Sequence, residues 1–396
     1  MVTGIGYSGG YTLTVDRILA IAAATTLVCV TLLSLKNRFL NQRVIALAKQ
    51  FRLHHLLALL AGTGILVHTA IAFWRDWPDS PSLYFTLSDL PTLAGWVALL
   101  LFAVVIASSW IRRLAWKHWY LLHLLSLPAF VMLALHALAY ARGRPTDLAI
   151  LICLFAVLTL SIGYALIDRF SAAHSFRCTV VQNRPVAEGV CELHLTSAAG
   201  GKAPQFAAGS IVYLRFDGPG FSRQWHPFSV ASCRYESELR LIIKGLGADT
   251  AKIADLRNAD SVLIRGPFRE FTPDFSREQI WIAGGIGIAP FAGYAACLGH
   301  LPAARVTVFH WYEHKAQQLD LQAYASRIEG NLAQIHALTS PHTPPDLTRL
   351  IDYARGKNEA QFIVCGPPVF MRFVRRSLKR AGIDGRNIET EEFLPW

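Results

Sequence analysis

Five apolar stretches dominate the first 170 residues, and each is long enough to cross a lipid bilayer. A bilayer core of about 30 Å needs roughly 20 apolar residues in a helix. The predicted spans are Thr12–Leu35, Leu53–Trp74, Pro91–Ile111, His118–Tyr140 and Asp147–Ile167. We therefore predict an all-α membrane domain over residues 1–172.

The composition supports a membrane domain followed by a soluble part. Hydrophobic residues make up 53% of the 396 residues and charged residues 16%, whereas soluble proteins carry about 25% charged residues. These values exclude a disordered chain and argue against an entirely soluble enzyme. From about Ser175 onward the sequence reads as an ordinary soluble α/β protein.

The formal net charge of +11 points to membrane topology and not to nucleic acid, because no nucleic-acid motif accompanies it. The loops at 36–52 and 112–117 hold eight Lys and Arg residues, and the other two loops between spans hold three. The positive-inside rule places the basic loops in the cytoplasm. We expect an integral protein of a bacterial-type inner or plasma membrane, in contact with lipids, with its N-terminus outside and its soluble domains cytoplasmic. No signal peptide is recognisable, so the first span is expected to be retained.

The seven cysteines show no CxxC pair. Such usage fits a reducing compartment or burial in the bilayer. We expect neither disulfides nor a zinc site.

The soluble half divides into two further domains. Short alternating strands are predicted at Val190–Leu195, Ser210–Phe216, Glu238–Lys244 and Ser261–Ile264, which suggests an antiparallel β-barrel over residues 173–275. Residues 276–396 follow a strand, glycine turn and helix order, with strands at Ile280–Ala283, Arg305–Trp311 and Gln361–Cys365, as in a parallel α/β sheet. The predicted fold class is a multi-domain membrane protein with these three parts.

Histidines on the second and fourth spans are the sharpest functional signal, because polar side chains at membrane depth are costly. The second span carries His54, His55 and His68, and the fourth carries His118, His123 and His136.

Both spans start in the cytoplasm, so His54 should lie level with His123, and His68 level with His136. On the second span, fourteen residues separate His54 from His68. On the fourth span, thirteen residues separate His123 from His136. Both spacings correspond to about 20 Å along a helix. Each level pair could supply two axial nitrogens to one haem iron.

Alternatives stay open within this interpretation. Each histidine could simply hydrogen-bond a neighbouring helix, and His55 competes with His54 as a ligand. Thirteen residues are out of phase on an ideal helix, although Pro128 could distort the span. His118 is interpreted as interfacial.

The stretches FRLHHLLALLAGTGILVH and WYLLHLLSLPAFVMLALH resemble the ferric reductase-like transmembrane domain shared by NADPH oxidases and ferric-chelate reductases. The resemblance implies that His54, His68, His123 and His136 bind two b-type haems. That family commonly has six spans, and five are counted here.

The soluble half resembles the ferredoxin reductase-type module of the same family. The resemblance implies that His226, Pro227, Phe228 and Ser229 hold FAD, together with a second segment that contains Lys244, Gly245, Gly247 and Thr250. Gly266 begins a GPFG-like turn in which Arg269 replaces the last glycine. Related soluble reductases have an arginine where His226 stands.

The glycine turn after Ile280–Ala283 opens a helix, and this context favours binding of a dinucleotide pyrophosphate. Its residues are Gly284, Gly285, Gly287 and Pro290. The resemblance places Cys365, Gly366 and Pro367 beside the nicotinamide, with Cys365 in a positional role. It also implies that a terminal aromatic residue stacks on the flavin: Trp396, with Phe393 as its rival. NADPH and NADH remain equally open.

The resulting hypothesis is an enzyme that passes electrons from cytosolic NAD(P)H through FAD and two haems to a small-molecule acceptor outside. The acceptor would be an Fe(III) chelate or O2, giving Fe(II) or superoxide. The alternative is an electron-delivery module for a periplasmic protein or a quinone, which would bring a protein acceptor or an accessory protein as partner. A histidine-lined channel would explain the spans but not the flavin motifs.

Overall fold

The computed structural model describes residues 5–35, 47–76, 89–111, 114, 116–170, 175–218, 220–222, 224–269, 273–300, 305–325, 332–340 and 343–392. These residues form two compact units, a helical one before residue 171 and a mixed one that follows.

The helical unit contains the five predicted spans. Its helices are α1 (Ile5–Ser34), α2 (Leu47–Asp76), α3 (Leu90–Trp110), α4 (Trp116–His123), α5 (Ser126–Ala141) and α6 (Pro145–Phe170). Stretches long and apolar enough to cross a membrane run over Leu13–Ser34, Gln50–Arg75, Leu90–Trp110, His118–Ala141 and Pro145–Ile167. The prediction of five spans is confirmed for the described residues, with ends that differ by a few positions.

Small residues allow these helices to approach closely. Ala61 on α2 and Ala129 on α5 are almost fully buried, and they pack with Leu27 and Phe102 in one cluster. Leucines such as Leu60 and Leu66 point outward and are more than half exposed. Helix association in lipid depends on close packing of small residues, so the apolar surface faces outward and the small residues face inward.

The fourth span is interrupted, although the sequence predicts one stretch from His118 to Tyr140. Helix α4 ends at His123 and α5 begins at Ser126. Pro128 has no N–H to donate to the carbonyl of Leu124, which instead accepts from the Leu127 N–H at 3.0 Å. The break lies between His123 and His136.

The first part of the mixed unit is a six-stranded antiparallel barrel. Its strands are β1 (Phe176–Ala187), β2 (Val190–Ser197), β3 (Ile211–Phe216), β4 (His226–Ser229), β5 (Leu239–Lys244) and β6 (Ser261–Arg269). They follow the order β4-β3-β6-β1-β2-β5, and a bridge from Val230 to Leu241 joins the two ends. The predicted strands of this domain are confirmed, and their apolar residues fill its core.

The second part is a five-stranded parallel sheet. Its strands are β7 (Gln279–Gly284), β8 (Val306–Tyr312), β9 (Leu332–Leu338), β10 (Gln361–Gly366) and β11 (Ile388–Glu392), in the order β11-β10-β7-β8-β9. The helices are α7 (Ala289–Cys297), α8 (Thr348–Ala354) and α9 (Pro368–Arg380). Because β8 and β10 lie on opposite sides of β7, a crevice opens at the carboxyl ends of β7 and β10, where parallel sheets bind ligands.

One expectation about the cysteines is wrong. Cys233 and Cys297 form a disulfide, with a Cα–Cα distance of 5.1 Å. Cys233 lies in the barrel domain and Cys297 at the end of α7. The two residues are 64 positions apart, so no local spacing reveals a pair that the packing of the two domains creates.

Candidate functional site

The helical unit brings the four predicted haem-binding histidines together as two pairs. The ring centroids of His54 and His123 lie 6.4 Å apart, and those of His68 and His136 lie 6.2 Å apart. All four side chains are half-buried, whereas His55 and His118 are exposed. His54, and not His55, therefore faces His123 in the structure.

Hydrogen bonds hold three of these rings through the same nitrogen. His54 Nδ1 lies 2.9 Å from the Val30 carbonyl, and His136 Nδ1 lies 2.9 Å from the Pro91 carbonyl. His68 Nδ1 lies 2.6 Å from Asp16 Oδ1. A neutral imidazole donates through one nitrogen and accepts through the other, so each anchored ring keeps Nε2 for a ligand bond. Metal-binding histidines are usually oriented in this way.

The fourth ring is held differently. His123 stacks on Trp119 at 4.8 Å, and its Nδ1 is buried without a hydrogen-bond partner among the described residues. A metal–imidazole bond is about 2 Å long, and two such bonds with the ring halves added match centroids 6.2–6.4 Å apart. The residues therefore fit two bis-histidine haems, and their role as ligands stays a prediction.

Gly95 on α3 provides the space that His136 occupies. A Cβ atom at Gly95 would lie 2.7 Å from His136 Nδ1 and 2.9 Å from its Cε1. Only glycine leaves the ring where it can bond the Pro91 carbonyl.

We expect Gly95→Ala to displace the His136 ring and to weaken haem binding at the His68–His136 pair about tenfold, as loss of ligand orientation does elsewhere. Haem content per protein and the reduced-minus-oxidised spectrum measure this loss. The matched control is Gly163→Ala on α6, where an added Cβ meets nothing within 4 Å. Equal haem content in the two variants would contradict this role of Gly95.

The predicted flavin residues lie on β4, the terminal strand of the barrel order. His226–Ser229 pairs with Ile211–Leu214 of β3. His226, Pro227 and Phe228 are half-buried and Ser229 is buried. An apolar, partly open strand edge of this kind suits the flat ring of a flavin.

His226 is bonded to a carboxylate in the structure. Its Nε2 lies 2.8 Å from Asp249 Oδ2, and the Ser222 N–H donates to Asp249 Oδ1 at 2.9 Å. Burial alone would raise the pKa of Asp249, but hydrogen bonds from Ser222 and His226 outweigh it and lower the pKa. A direct contact of His226 with the flavin pyrophosphate stays a prediction.

The second predicted flavin segment is a tight turn. Thr250 Oγ1 accepts from the N–H groups of Leu246 and Gly247, at 3.0 and 2.8 Å. Gly245 and Gly247 are exposed, so the backbone of this turn is accessible. Gly266 lies within β6.

Two arginines beside the flavin strand were not predicted from the sequence. The guanidinium groups of Arg215 and Arg265 lie over the Trp225 ring, 5.3 and 4.4 Å from its centroid. Trp225 directly precedes His226, so two cations lie next to the predicted FAD site. The only signal in the sequence is that both arginines interrupt apolar strands.

The predicted nicotinamide residues meet at the carboxyl ends of β7 and β10. A Cβ at Gly287 would lie 2.6 Å from the carbonyl carbon of Cys365 and 2.8 Å from Gly366 Cα. Cys365 is fully buried, Pro290 lies in the first turn of α7, and Pro367 caps α9. Two motifs about 80 residues apart in the sequence thus pack against each other at this end of the sheet.

A neighbouring histidine supports the glycine turn. His310 on β8 is fully buried, and its Nε2 lies 3.0 Å from the carbonyl of Gly285. Burial lowers the pKa of His310 to about 4, so the ring is neutral near pH 7 and donates through Nε2. No motif in the sequence singles out this residue.

A small cavity lies between residues of the barrel and residues of the glycine turn. It is lined by Lys244 from the barrel and by Gly285 from the glycine turn, with Ala187, Val190, Ile286, Ile288, Gln317 and Leu319. The two domains therefore contribute to one space. Trp396 and Phe393 lie outside the described residues.

A buried ionic network links the same two domains. Glu192 on β2 is fully buried and accepts from His194 Nε2 at 2.7 Å and from Arg184 Nε at 2.8 Å. Burial alone would raise the pKa of Glu192, but hydrogen bonds from His194, Tyr324 and Arg184 lower it to about 2. The hydrogen bond to Glu192 raises the pKa of His194. Tyr324 belongs to the nucleotide-binding part, so the network spans the domain boundary.

These shifts predict how stability depends on pH. The contribution of Glu192 is complete above its unfolded pKa of 4.5 and is lost as the pH falls toward 2. The contribution of His194 is complete below 6.5 and is lost as the pH rises through its raised folded pKa.

We expect Glu192→Gln to lower the free energy of unfolding by about 3 kcal/mol, because it leaves buried partners uncompensated. Chemical unfolding of the flavin-loaded protein in detergent, followed by flavin fluorescence, measures this change. In the control Glu238→Gln, the replaced carboxylate is 37% exposed and bonds His194 Nδ1, so the cost should stay under about 1 kcal/mol. Equal losses of unfolding free energy in both variants would show that Glu192 contributes no more to the network than Glu238 does.

Comparison with known proteins identifies two regions. Residues 19–134 match the model of the ferric reductase like transmembrane component. Residues 180–269 match an FAD-binding domain.

Among curated proteins, the chain is similar to a component of the Na(+)-translocating NADH-quinone reductase of Serratia proteamaculans, at 24% identity over 274 residues, covering 55% of this chain and 67% of that protein. It is also similar to the toluate 1,2-dioxygenase electron transfer component of Pseudomonas putida, at 26% identity over 233 residues with the same coverage.

A solved structure with a similar chain is phthalate dioxygenase reductase, with a TM-score of 0.47 and 19% identity over 55% of this chain and 67% of that chain. Ferredoxin-NADP+ reductase from Plasmodium falciparum has a TM-score of 0.47 and 14% identity, over 57% of this chain and 98% of that chain.

Proposed function

We propose that this chain, a membrane-bound NAD(P)H-dependent oxidoreductase that joins a ferric reductase-like transmembrane component to an FAD-binding reductase module, carries electrons through two haems to an acceptor outside. The observation that carries the proposal is the arrangement of two histidine pairs, with centroids 6.4 and 6.2 Å apart. Two such pairs on two membrane spans would form a path for electrons across the bilayer.

The soluble residues would bind and orient the two organic cofactors. The crevice at Gly284–Gly287 and Gly366 would hold the nicotinamide dinucleotide. A glycine-rich turn that leads into a helix can bind a pyrophosphate group, because backbone N–H groups point at the ligand there. Strand β4 and the turn before Thr250 would hold FAD. When bound, FAD accepts a hydride and releases single electrons, and haem b carries one electron at a time.

The four histidines would hold the two haems, with two side chains for each iron. Six-coordinate iron favours electron transfer over ligand binding. His54 and His68 are fourteen residues apart on one continuous helix, about 21 Å along its axis. This length covers most of the bilayer core.

We further propose that the basic loops face the cytoplasm and that the soluble module lies on that side, where NAD(P)H is available. The acceptor is then reached from the opposite face. An Fe(III) chelate or O2 would accept single electrons there by outer-sphere transfer, giving Fe(II) or superoxide.

The turn between α5 and α6 supports an anionic acceptor. Arg142 is exposed there and Arg144 is half-buried. We expect replacement of both arginines by Gln to lower the second-order rate constant for ferric citrate about tenfold at low salt, since surface charge steers association. Stopped-flow oxidation of the reduced protein measures it, with a neutral ferric chelate as the control acceptor. Equal loss with both chelates, or no salt dependence, would exclude steering by these arginines.

The test of the proposed function is a spectrum and a turnover assay on the purified full chain. Reduction by NADPH or NADH must produce the bands of bis-histidine haem b, and turnover must continue with ferric chelate or O2 as the sole acceptor. Absence of haem bands in a flavin-loaded preparation would refute the proposal.

A second candidate is electron delivery to a periplasmic protein or a quinone. It is favoured by two relatives whose names describe an NADH-quinone reductase and an electron transfer component. This function would be supported if the haems are reduced but the protein does not turn over with ferric chelate or O2, and if a soluble quinone analogue restores turnover.

A further inference from the structure

Asp16 is a buried carboxylate on α1 that contacts His68. It is 5% exposed, and its Oδ1 lies 2.6 Å from His68 Nδ1. Its Oδ2 lies 2.9 Å from Arg75 Nη1 on α2. A carboxylate in a membrane-spanning segment is costly and usually has a functional reason.

The contact distinguishes His68 from the other anchored histidines. His54 and His136 bond backbone carbonyls, which are neutral acceptors, whereas His68 faces an anion. Hydrogen bonds to ionised groups are about twice as strong as neutral ones. The hydrogen bond at His68 Nδ1 is therefore expected to be stronger than those at the other two rings.

We propose that Asp16 is a positioning residue that fixes the ring of His68 through Nδ1 and lowers the reduction potential of the haem bound by His68 and His136. This inference rests on the proposed function, because it takes His68 to be an axial ligand. A carboxylate that accepts from a ligating histidine raises the basicity of the ligand. A more basic ligand favours the oxidised iron and so lowers the potential.

Arg75 forms an ion pair with Asp16. Its guanidinium compensates the charge of Asp16 and leaves Oδ1 directed at His68. This ion pair offsets part of the cost of burying the Asp16 carboxyl group, since buried charged groups are tolerated when they are paired.

The experiment is a redox titration of the full chain in detergent, comparing wild type with Asp16→Asn. The asparagine can still accept from His68 Nδ1 but lacks the charge. We expect one haem to become about tenfold easier to reduce, a rise of about 59 mV for a one-electron couple. The shifted haem must be the one that His136→Ala removes, and the other haem must keep its potential.

Asp147→Asn is the matched control. Asp147 is a 9% exposed carboxylate of the same helical unit, and it pairs with Arg17 Nη2 at 2.6 Å. The control removes a comparable charge from a site bonded to an arginine and not to a histidine, so both haem potentials should stay unchanged. An equal shift in the two variants would show a general effect of membrane charge and overturn the inference.

Asp16→Glu provides a second variant in case Asp16→Asn fails to fold. It keeps the carboxylate, and we expect a smaller rise in potential with both haems bound. No change in either Asp16 variant, with two haems present, would overturn the inference and leave the proposed function standing. Wild-type protein without haem would instead refute the proposed function itself.

Discussion

Replacing His68 or His136 by alanine is expected to remove one of the two haems while NAD(P)H still reduces the flavin. Each histidine is one of a pair whose centroids lie 6.2 Å apart, and loss of one axial ligand leaves a site that a single imidazole holds. Electron transfer to the external acceptor should fall by at least about 100-fold, the upper end of the losses seen when the support of a metal ligand is removed.

The measurement combines haem content per protein with stopped-flow absorbance of flavin and haem. His55→Ala is the matched control, because His55 adjoins His54 but is exposed. It should keep both haems and full turnover. Loss of haem in His55→Ala with retention in His54→Ala would assign the ligand to His55. Loss of flavin reduction in a folded His68→Ala protein would disprove independent operation of the soluble module.

Gly287→Ala is expected to abolish productive binding of the nicotinamide cofactor. The added Cβ would lie 2.6 Å from the carbonyl carbon of Cys365 and 2.8 Å from Gly366 Cα. Both are backbone atoms of β10, which cannot rotate away as a side chain can. The glycine turn after β7 and the end of β10 must therefore separate. A displacement of about 1 Å can cost about 100-fold in rate.

Hydride transfer to the flavin, followed by stopped-flow absorbance under saturating NADPH or NADH, tests this expectation. Gly385→Ala serves as the control in the same domain. There the new Cβ would lie 2.7 Å from Lys379 Cε, part of a flexible side chain that can move. Flavin content should be normal in both variants. A Gly287→Ala protein with the wild-type rate would show that the crevice does not bind the nicotinamide.

Long stretches of sequence were enough to predict the architecture. The five spans depend on about 20 consecutive apolar residues each, so their positions can be predicted before any contact is known. The barrel and the parallel sheet were likewise indicated by alternation and by glycine turns. These are local properties, and tertiary packing changed their limits by only a few residues.

The pairing of the histidines needed the fold. The spacing of thirteen residues between His123 and His136 is out of phase on a straight helix, and the structure breaks that span between His123 and Ser126. Pro128 is visible in the sequence. The position of the break, and the Leu127 N–H that the Leu124 carbonyl takes as its donor, are seen only in the structure.

By itself, the sequence determined which residues carry chemistry: histidines in apolar spans, and glycine motifs that follow strands. Only the tertiary structure decided how each is held. Asp16 and His68 are 52 residues apart, His310 and Gly285 are 25 apart, and Cys233 and Cys297 are 64 apart. The physical reason is that hydrophobicity and backbone preference act within a short window of chain, whereas a hydrogen bond or a disulfide depends on which distant segments the packed core brings together.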